Sequence, residues 1–356
     1  MKNLVHLKNL PLPDLETFLY SLDGKRFRVD QVVRWLYGRG ARSFEEMSNL
    51  GKEFRRKLSE KARISWLESR EIQASADGTR KFQFVLEDGE AIESVLLPER
   101  DHWTLCLSTQ VGCALGCKFC LTGQRGLVRN LTPAEIIDQI LGVRAALPPE
   151  KRIRNLVFMG MGEPLLNLEN LQQVLEIIRS PSGLQFSYRH ITVSTAGLIP
   201  QMEALSQKRH FGQLAVSLNA STDEQRTALM PINRKYPLKD LLAACRRLPL
   251  ATRGKITFEY VLIRDLNDSA DDALRVARML KEIRAKINLI PFNEHPQNPW
   301  KRPAEEVIAR FRQILMDRGY TAVIRQSKGR DIMAACGQLG GKLNLVGGSA
   351  KSPKKS

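Results

Sequence analysis

The chain has 356 residues, 43% hydrophobic and 26% charged, which predicts a globular protein with one large domain and a smaller one. Its 55 Lys and Arg residues exceed its 38 Asp and Glu residues, and this net charge of +17 favours a nucleic-acid partner over a membrane. No apolar run reaches the roughly 18 residues of a membrane span, and the N-terminus lacks a signal-peptide core, so we expect a cytoplasmic protein.

Residues 1–70 are predicted to form a small helical domain. Its segments DLETFLYSL, VDQVVRWLYGRG and FEEMSNLGKEFRRKLSEKARI carry apolar residues every three to four positions, which is typical of amphipathic helices. Trp35 and Tyr37 lie among many arginines, and this mixture favours RNA docking over a merely solvated face. Residues 71–100 are predicted to be a β-hairpin extension, because the turn pair Asp88-Gly89 separates two strand patterns.

Residues 101–300 alternate strand and helix patterns. The strand segments are TLCLST, NLVFMG, HITVST, QLAVSLN, KITFEYVLI and INLIPF. Repeated βα units predict a parallel sheet covered by helices, and about six units are too few for a closed eight-stranded barrel. The predicted fold class is therefore α/β, a partial (β/α)6 barrel. Residues 301–346 add a C-terminal segment with one helix, one strand and a loop, and residues 347–356 a basic tail predicted to be disordered.

Cys113, Cys117 and Cys120 form a C-x3-C-x2-C run directly after the first barrel strand. A cubane iron–sulfur cluster takes four Cys ligands, so three would leave one iron open for chemistry. The known use of such an opening is to chelate S-adenosylmethionine through its amino and carboxylate groups. The alternative is a structural zinc site completed by Cys106 or a distant His, although zinc sites usually show paired C-x2–4-C hooks.

Polar residues follow several later strands. In the segment GMGEP, glycines permit close backbone approach, and Glu163 could hold the ammonium group of an amino acid. Each of the other strand-end residues alone is more often a turn or cap residue. At one rim, however, they could together bind a carboxylate, ribose hydroxyls and adenine. These residues are Ser194, Thr195, Ser217, Asn219 and Asn293.

Three cysteines stand apart from the run. A lone cysteine is usually a small buried apolar residue, and Cys245, in the helical segment LLAACRRL, has only this interpretation. Cys106 lies within the first barrel strand, and Cys336 lies in the C-terminal segment GRDIMAACGQL. Basic neighbours of Cys336, including Lys328, would favour its thiolate form.

Together these motifs resemble the radical S-adenosylmethionine RNA (adenine-C2) methyltransferases over most of the chain. The matching segments include TLCLSTQVGCALGCKFC, FMGMGEPLLN, ITVSTAG, LAVSLNA, PINRKYPL, IPFN and ACGQL. The resemblance implies methylation of one adenosine of 23S rRNA and of the adenosine 3′ of the anticodon in tRNAs. A sister family that methylates adenine C8, and so confers antibiotic resistance, shares almost all of these segments. That alternative stays open, because Thr122-Gly123 stands where the commonest C2 enzymes have Thr-Ala.

The resemblance also implies the cofactors and their binding residues. One [4Fe-4S] cluster is expected on the three-cysteine run, with two S-adenosylmethionine molecules used per turnover. The residues expected to bind S-adenosylmethionine are Gly162, Glu163, Ser194, Ser217, Leu218, Asn219 and Asn293. The implied partners are 23S rRNA, tRNA and an electron donor such as flavodoxin or ferredoxin, and we expect a monomer.

Three catalytic roles follow from the same resemblance. Cys336 is expected to carry the methyl group as S-methylcysteine, and its carbon to join adenine C2 through a radical. Glu93 is expected to accept the C2 proton. Cys106 is expected to release the methylated RNA by forming a transient disulfide with Cys336, which the cytosol tolerates in catalytic thiol pairs.

Overall fold

The computed structural model describes residues 4–340 except 24, 149, 209 and 251–253. The predicted basic tail, 347–356, lies outside the described residues, and so do the last residues of the predicted C-terminal segment. Within the described part, no helix is long and apolar enough to cross a membrane.

The N-terminal residues form a small helical unit. Its elements are β1 (Val5–His6), α1 (Leu12–Asp23), α2 (Arg26–Val33), a π-helix (Arg34–Arg39), α3 (Lys52–Lys61) and β2 (Ala62–Arg63), which pairs in parallel with β1. Helix α3 begins later than the periodicity predicted, because residues 42–50 form bends and turns that end at Gly51. Tyr37 is fully buried in the core, so its predicted part in RNA docking is wrong.

Strands β3 (Ser69–Ala74), β4 (Arg80–Val85) and β5 (Ala91–Pro98) form an antiparallel meander. The β4–β5 hairpin was predicted, whereas β3 was not. The meander is continuous with the barrel sheet, because β5 pairs antiparallel with the first barrel strand. The later strands are β6 (Trp103–Cys106), β7 (Gln110–Gly112), β8 (Leu127–Asn130), β9 (Ile153–Phe158), β10 (Ile191–Thr195), β11 (Gln213–Ser217), β12 (Ile256–Leu262), β13 (Ala285–Pro291) and β14 (Thr321–Ile324).

The main sheet contains ten strands in the described part of the chain, in the order β14-β13-β12-β11-β10-β9-β6-β5-β4-β3. The strands from β6 to β14 in this order all run parallel. The sheet is thus the open, mixed α/β barrel that the alternating patterns predicted, with one more parallel strand, β14, from the C-terminal segment. Strands β7 and β8 form a separate antiparallel ribbon.

Helices cover the sheet between the strands. They are α4 (Leu121–Arg125), α5 (Pro133–Ala145), α6 (Leu168–Arg179), α7 (Ile199–Ser206), α8 (Asp223–Leu229), α9 (Leu238–Arg247), α10 (Ala270–Met279) and α11 (Glu305–Asp317). Thr132 begins α5 with a capping box, in which its hydroxyl accepts from the Glu135 N–H and the Glu135 carboxylate accepts from the Thr132 N–H. Ser269 begins α10 in the same way.

A buried ion pair joins the helical unit to the barrel. Lys8 Nζ lies 2.6 Å from Asp138 Oδ1 on α5, and both side chains are fully buried. Ser65 Oγ donates to the other carboxylate oxygen at 2.6 Å, so every oxygen of Asp138 is paired. Removing one partner of such a pair leaves an uncompensated buried charge, which costs about 3–5 kcal/mol. The orientation of the unit on the barrel is therefore well defined.

Candidate functional site

The predicted site residues gather at one edge of the barrel sheet. Cys106 ends β6, Thr195 ends β10, Ser217 ends β11, and Asn293 lies just beyond β13. Parallel strands present their carboxyl ends at the same edge, where α/β proteins bind ligands. Residues far apart in the sequence are thereby brought to one rim.

The three-cysteine loop is shaped by its glycines and by the β7–β8 ribbon. Gly112 has a φ of +76°, and a Cβ atom there would lie 1.8 Å from the Gly126 carbonyl oxygen, so only glycine fits. The Cys113 N–H donates to that same oxygen at 2.9 Å. A Cβ atom at Gly123 would lie 3.0 Å from the Cys117 nitrogen. Gly123 therefore packs closely against the Cys117 backbone, where a larger residue would need the loop to shift.

The three thiols suit a metal centre that supplies positive charge. Burial raises the pKa of Cys113 to about 12 and also raises the pKa of Cys117 and Cys120. Thiolates are the ligating form, so a bound centre must displace their protons. Among the described residues, no three Cys, His, Asp or Glu side chains converge on a point that could hold a single metal ion. Three cysteine thiols on one short loop are the donor set expected for an iron–sulfur cluster with one open iron.

The glycines of GMGEP bring two strand ends together. A Cβ atom at Gly160 would lie 2.7 Å from the Leu107 carbonyl oxygen, and one at Gly162 would lie 2.5 Å from Gln110 Cβ. The Glu163 N–H donates to Gln110 Oε1 at 2.8 Å. Gly162, predicted to bind the cofactor, thus has a packing role in holding the β9 end against the β6–β7 connection.

Glu163 is buried with both carboxylate oxygens directed at backbone donors. Oε1 accepts from the Leu165 N–H at 3.1 Å, and Oε2 accepts from the Ala196 N–H at 2.8 Å. Burial nevertheless raises the pKa of Glu163 to about 7. A cation placed beside this carboxylate would favour its ionised form, so the site is suited to an ammonium group.

Residues at the ends of β10 and β11 differ in the polar groups that they can present to a ligand. Ser194 on β10 and Ser217 are half-buried. The Leu218 side chain is fully buried in the core, and its N–H and C=O already bond to Glu259 O and the Arg226 guanidinium. Only the second lone pair of the Leu218 carbonyl oxygen is left for the predicted contact with a cofactor.

Asn219 also has partners within the protein. Its φ is +58°, an uncommon value for a residue with a side chain. Oδ1 accepts from the Val261 N–H at 2.9 Å, and Nδ2 contacts Met230 Sδ at 3.2 Å. Asn293 differs, because its buried Oδ1 has no hydrogen-bond partner among the described residues. Its Nδ2 donates to the Cys336 carbonyl oxygen at 3.1 Å.

Cys336 lies in a crowded recess beside the three-cysteine loop. The Gly337 carbonyl oxygen accepts from the Leu121 N–H at 2.8 Å, so the two loops are in direct contact. Although its side chain touches solvent, surrounding protein atoms and the Glu259 carboxylate raise the pKa of Cys336. Arg325 lowers this pKa, as expected of a basic neighbour, whereas Lys328 instead ion-pairs with Glu99 at 3.5 Å.

Cys106 is close enough to Cys336 for the two thiols to interact electrostatically. Burial raises the pKa of Cys106 well above its usual value, and the neighbouring Cys336 side chain raises it further. Cys245 is buried in α9, as predicted for a cysteine without a chemical role.

Glu93 is held between a cation and a backbone donor. It lies on β5 and is buried, with Oε1 3.1 Å from Lys81 Nζ. Its Oε2 accepts from the Gly340 N–H at 2.7 Å. Glu93 and the Cys336 loop are thus connected directly, which the sequence separation of the two residues gave no reason to expect.

Sequence reasoning missed Arg226. This fully buried guanidinium donates to the carbonyl oxygens of Ser217, Leu218 and Ala196 at 3.1, 3.2 and 2.7 Å, and also to Asn233 Oδ1. It ties together the ends of β10 and β11, and it contributes positive charge near Cys117. One arginine in the helical segment DEQRTAL carries no sequence signal that distinguishes it from an exposed one.

Comparisons with known proteins match the whole chain. The Radical SAM superfamily model matches residues 107–277, and the Ribosomal RNA large subunit methyltransferase N-terminal domain model matches residues 5–64. A Dual-specificity RNA methyltransferase RlmN from Geobacter sulfurreducens is 54% identical, covering 97% of this chain and 95% of the relative. The chain belongs to the RlmN family of radical SAM RNA methyltransferases. An RlmN from Syntrophotalea carbinolica is 52% identical, covering 99% of this chain and 94% of that protein.

A solved structure supports the same membership. The radical SAM methyltransferase from Sphaerobacter thermophilus has a TM-score of 0.88 and 42% identity, covering 94% of this chain and 99% of that one. The RlmN-family chain is therefore an enzyme that uses a [4Fe-4S] cluster and S-adenosylmethionine, and its partner is RNA. The zinc alternative is thereby excluded, and the C8 alternative is not favoured.

Proposed function

We propose that this chain methylates C2 of one adenosine in 23S rRNA and of the adenosine 3′ of the anticodon in tRNAs. The dual-specificity name of its relatives supports both substrates. The observation that carries the proposal is the meeting of Cys106, Cys336 and Glu93 at the rim that bears the three-cysteine loop. A plain RNA-binding protein has no use for a thiol pair and a carboxylate beside such a loop.

The cofactors have suitable residues at this rim. Cys113, Cys117 and Cys120 would hold the cluster, and Glu163 would pair with the ammonium group of S-adenosylmethionine. The unpaired Asn293 Oδ1 offers a further acceptor. When bound, a reduced cluster would supply the one electron that splits S-adenosylmethionine into methionine and a hydrogen-abstracting 5′-deoxyadenosyl radical. Among the remaining predicted residues, the half-buried Ser194 and Ser217 are placed to accept or donate hydrogen bonds.

Cys336 is proposed to carry the transferred methyl group. Adenine C2 is electron-poor and cannot attack a sulfonium methyl as a nucleophile, so the methyl carbon must reach it as a radical. Exposure of the Cys336 side chain leaves its sulfur accessible to a base that enters the recess. Because the RNA is then covalently attached to the protein, a second group must release it.

Glu93 and Cys106 are proposed to complete the reaction. Glu93 accepts the C2 proton, and Lys81 stabilises the carboxylate before that transfer. Cys106 then attacks the Cys336 sulfur, so that a disulfide forms as the bond between that sulfur and the methylene carbon on adenine breaks; this carbon leaves with the bonding electron pair and takes up a proton to become the methyl group. Because its pKa is raised, Cys106 must lose its proton during this step rather than before it.

The helical unit, proposed as a domain of residues 1–70, would dock the RNA. Gln31, Arg34, Trp35, Arg39 and Asn49 line a surface recess of about 190 Å³. The Arg39 guanidinium lies over the Trp35 ring at 4.2 Å, an arrangement on which a nucleobase can stack. The target adenine must leave its stack to reach the barrel rim. We further propose a cytoplasmic monomer that takes electrons from a flavodoxin or ferredoxin.

Nucleoside mass spectrometry tests this function. RNA from cells with and without the gene is digested, and 2-methyladenosine and 8-methyladenosine are measured in the rRNA and tRNA fractions. We expect 2-methyladenosine to disappear from both fractions when the gene is deleted. Loss of 8-methyladenosine instead would replace the C2 proposal by the C8 alternative, and loss from rRNA alone would remove the tRNA substrate.

A further inference from the structure

The C-terminal segment that carries Cys336 is anchored at two places. Its far end contacts the reactive rim, where the Thr122 hydroxyl donates to the Leu339 carbonyl oxygen at 2.7 Å and the Gly340 N–H donates to Glu93. Its near end, residues 328–331, contacts the turn between β3 and β4. Strands β14 and β3 are opposite edges of the sheet, so this segment crosses from one edge to the other.

Two carboxylates hold the segment to the turn, and one lies on the segment while the other lies on the turn. Asp331 on the segment accepts from the Ser75 hydroxyl at 2.6 Å and from the Ala76 N–H at 3.2 Å. Asp77 on the turn accepts from the Gly329 N–H at 2.8 Å. Asp77 Oδ1 also accepts from the Thr79 N–H at 2.8 Å, which fixes the shape of the turn itself. The segment and the turn therefore each contribute one carboxylate that accepts hydrogen bonds from the other.

Both carboxylates are ionised at neutral pH. Burial opposes ionisation of Asp77, but hydrogen bonds from Thr79, Gly329 and Ser75 outweigh it and lower its pKa to about 2. The hydrogen bonds from Ser75 and the Ala76 N–H lower the pKa of Asp331 as well. Both carboxylates are exposed, so solvent weakens each bond, and the contact depends on three hydrogen bonds that act together.

Gly329 makes the close approach possible. Its φ is +66°, and a Cβ atom there would lie 2.8 Å from Thr79 Cγ2 and 2.9 Å from Ala334 Cβ. The Ala334 N–H donates to the Gly329 carbonyl oxygen at 2.8 Å. Residues 329–334 thus form a turn whose start is fixed on the hairpin and whose end leads directly to Cys336.

The hairpin turn lies away from the chemistry. In the sheet register, Lys81 pairs with Val95, and Val95 pairs with Cys106 at the reactive rim. Residues 75–79 come just before β4. They therefore lie toward the end of the strands that is opposite the reactive rim. A Cβ atom at Gly78 would contact Pro98, which pairs with Trp103 at the start of β6. Neither carboxylate can therefore touch the reacting atoms.

We propose that Asp77 and Asp331 form a latch that fixes the base of the Cys336 loop and thereby sets the position of the Cys336 sulfur. Both are positioning residues for the methyl-transfer reaction, so the inference rests on the proposed function. Residues 329–331 stay bound to the hairpin turn and act as a fixed point. The hydrogen bonds near Cys336 and Gly340 can then break and re-form while the loop moves about that point. Cys336 can then meet its methyl donor, the adenine and Cys106 in turn without leaving the recess.

Two variants of the intact enzyme test the latch. Asp331→Ala removes one carboxylate, and Asp331→Asn keeps an acceptor for the Ser75 hydroxyl while placing no charge at the Ala76 N–H. We expect single-turnover RNA methylation to fall about 10- to 100-fold in Asp331→Ala and less in Asp331→Asn, a cost of one or two charged hydrogen bonds. Iron content and S-adenosylmethionine affinity should stay at wild-type values. The matched control is Arg330→Ala, an exposed neighbour in the same turn, which should retain wild-type rates.

Hydrogen exchange provides a second readout that does not depend on activity. In Asp331→Ala and in Asp77→Asn, we expect faster exchange of the Gly329 and Ala334 amides, with unchanged exchange in the three-cysteine loop. Wild-type exchange and wild-type single-turnover rates in both variants would overturn the latch. Loss of RNA methylation with unchanged exchange would overturn it as well. If wild-type enzyme never methylates Cys336, the proposed function fails, whereas the exchange result still decides whether the latch holds the loop.

Discussion

The two cysteine loops at the rim are held in opposite ways. The loop of residues 113–120 is packed against the β7–β8 ribbon and the close-packed Gly112 and Gly123, and the Lys118 backbone bonds to Leu229 and Asn298. The loop around Cys336 is held by hydrogen bonds to residues more than 200 positions away in the sequence. Local close packing suits a part that must stay still, and a few polar bonds suit a part that must move. We therefore propose that the rigid loop (residues 113–120) binds the cluster and that the movable loop around Cys336 carries the methyl group.

Removing a ligand from the rigid loop should have the largest effect. In Cys117→Ala the cluster loses one of its three ligands, so we expect iron to fall from about four atoms per chain to near zero. Because S-adenosylmethionine binds at the open iron, Cys336 should remain unmethylated and no methylated RNA should form. Iron analysis and peptide mass spectrometry measure both effects. Cys245→Ala is the matched control and should keep its iron, and full iron in Cys117→Ala would contradict the ligand assignment.

Replacing Cys106 should block only the last step of the reaction, the release of methylated RNA from Cys336. In Cys106→Ala we expect RNA release to fall on the order of 10⁴-fold, because the attacking sulfur is absent. The methylated RNA should remain attached to Cys336 as an adduct that denaturing gels detect. Treatment of wild-type enzyme under the same conditions should give no lasting adduct. Normal product release by the variant would remove the resolving role.

Neutralising Glu93 should slow proton removal. Glu93→Gln can still accept from the Gly340 N–H but is a much weaker base, so we expect single-turnover methylation to fall about 10²- to 10⁴-fold. Methylation of Cys336 itself should stay normal, since that step does not use the base. Glu87→Gln, at the far end of the same hairpin, serves as the control, because Glu87 pairs with Arg63 instead. Equal losses in the two variants would point to damage of the hairpin.

Altering the helical unit should have the smallest effect, on RNA affinity alone. In Trp35→Ala we expect binding of substrate RNA to weaken by about 1–3 kcal/mol, the typical value of one stacked base. Tyr20→Ala changes an exposed aromatic residue on α1 outside the recess, and it should bind normally. Filter binding at two salt concentrations separates stacking from charge, since loss of Trp35 should leave the salt dependence unchanged. Similar weakening in both variants would reject the recess as the docking site.

The sequence predicted the residues and the position of the rigid loop, but it predicted few of the contacts that hold the movable loop. The cysteine spacing, GMGEP and the strand-end polar residues are local patterns, and the βα alternation placed them at one edge. Neither Arg226 nor the Asp77 and Asp331 contacts have a local signature, since the burial of Arg226 and the pairing of residues more than 250 positions apart are fixed only by the fold. Tyr37 shows the converse, because an aromatic residue among arginines resembled a docking surface although packing places it in the core. The raised pKa of Cys336 likewise depends on surrounding protein atoms and on the Glu259 carboxylate, which its basic sequence neighbours do not reveal.

A labelled single turnover tests the central claim most directly. Enzyme whose Cys336 carries a ¹³C-methyl group is separated from small molecules, reduced, and given RNA with unlabelled S-adenosylmethionine. If the methyl group travels through Cys336, the methyladenosine formed in the first turnover contains ¹³C. If the first product contains only the unlabelled methyl carbon of the added S-adenosylmethionine, Cys336 is not the carrier and the assignment of the two loops is wrong.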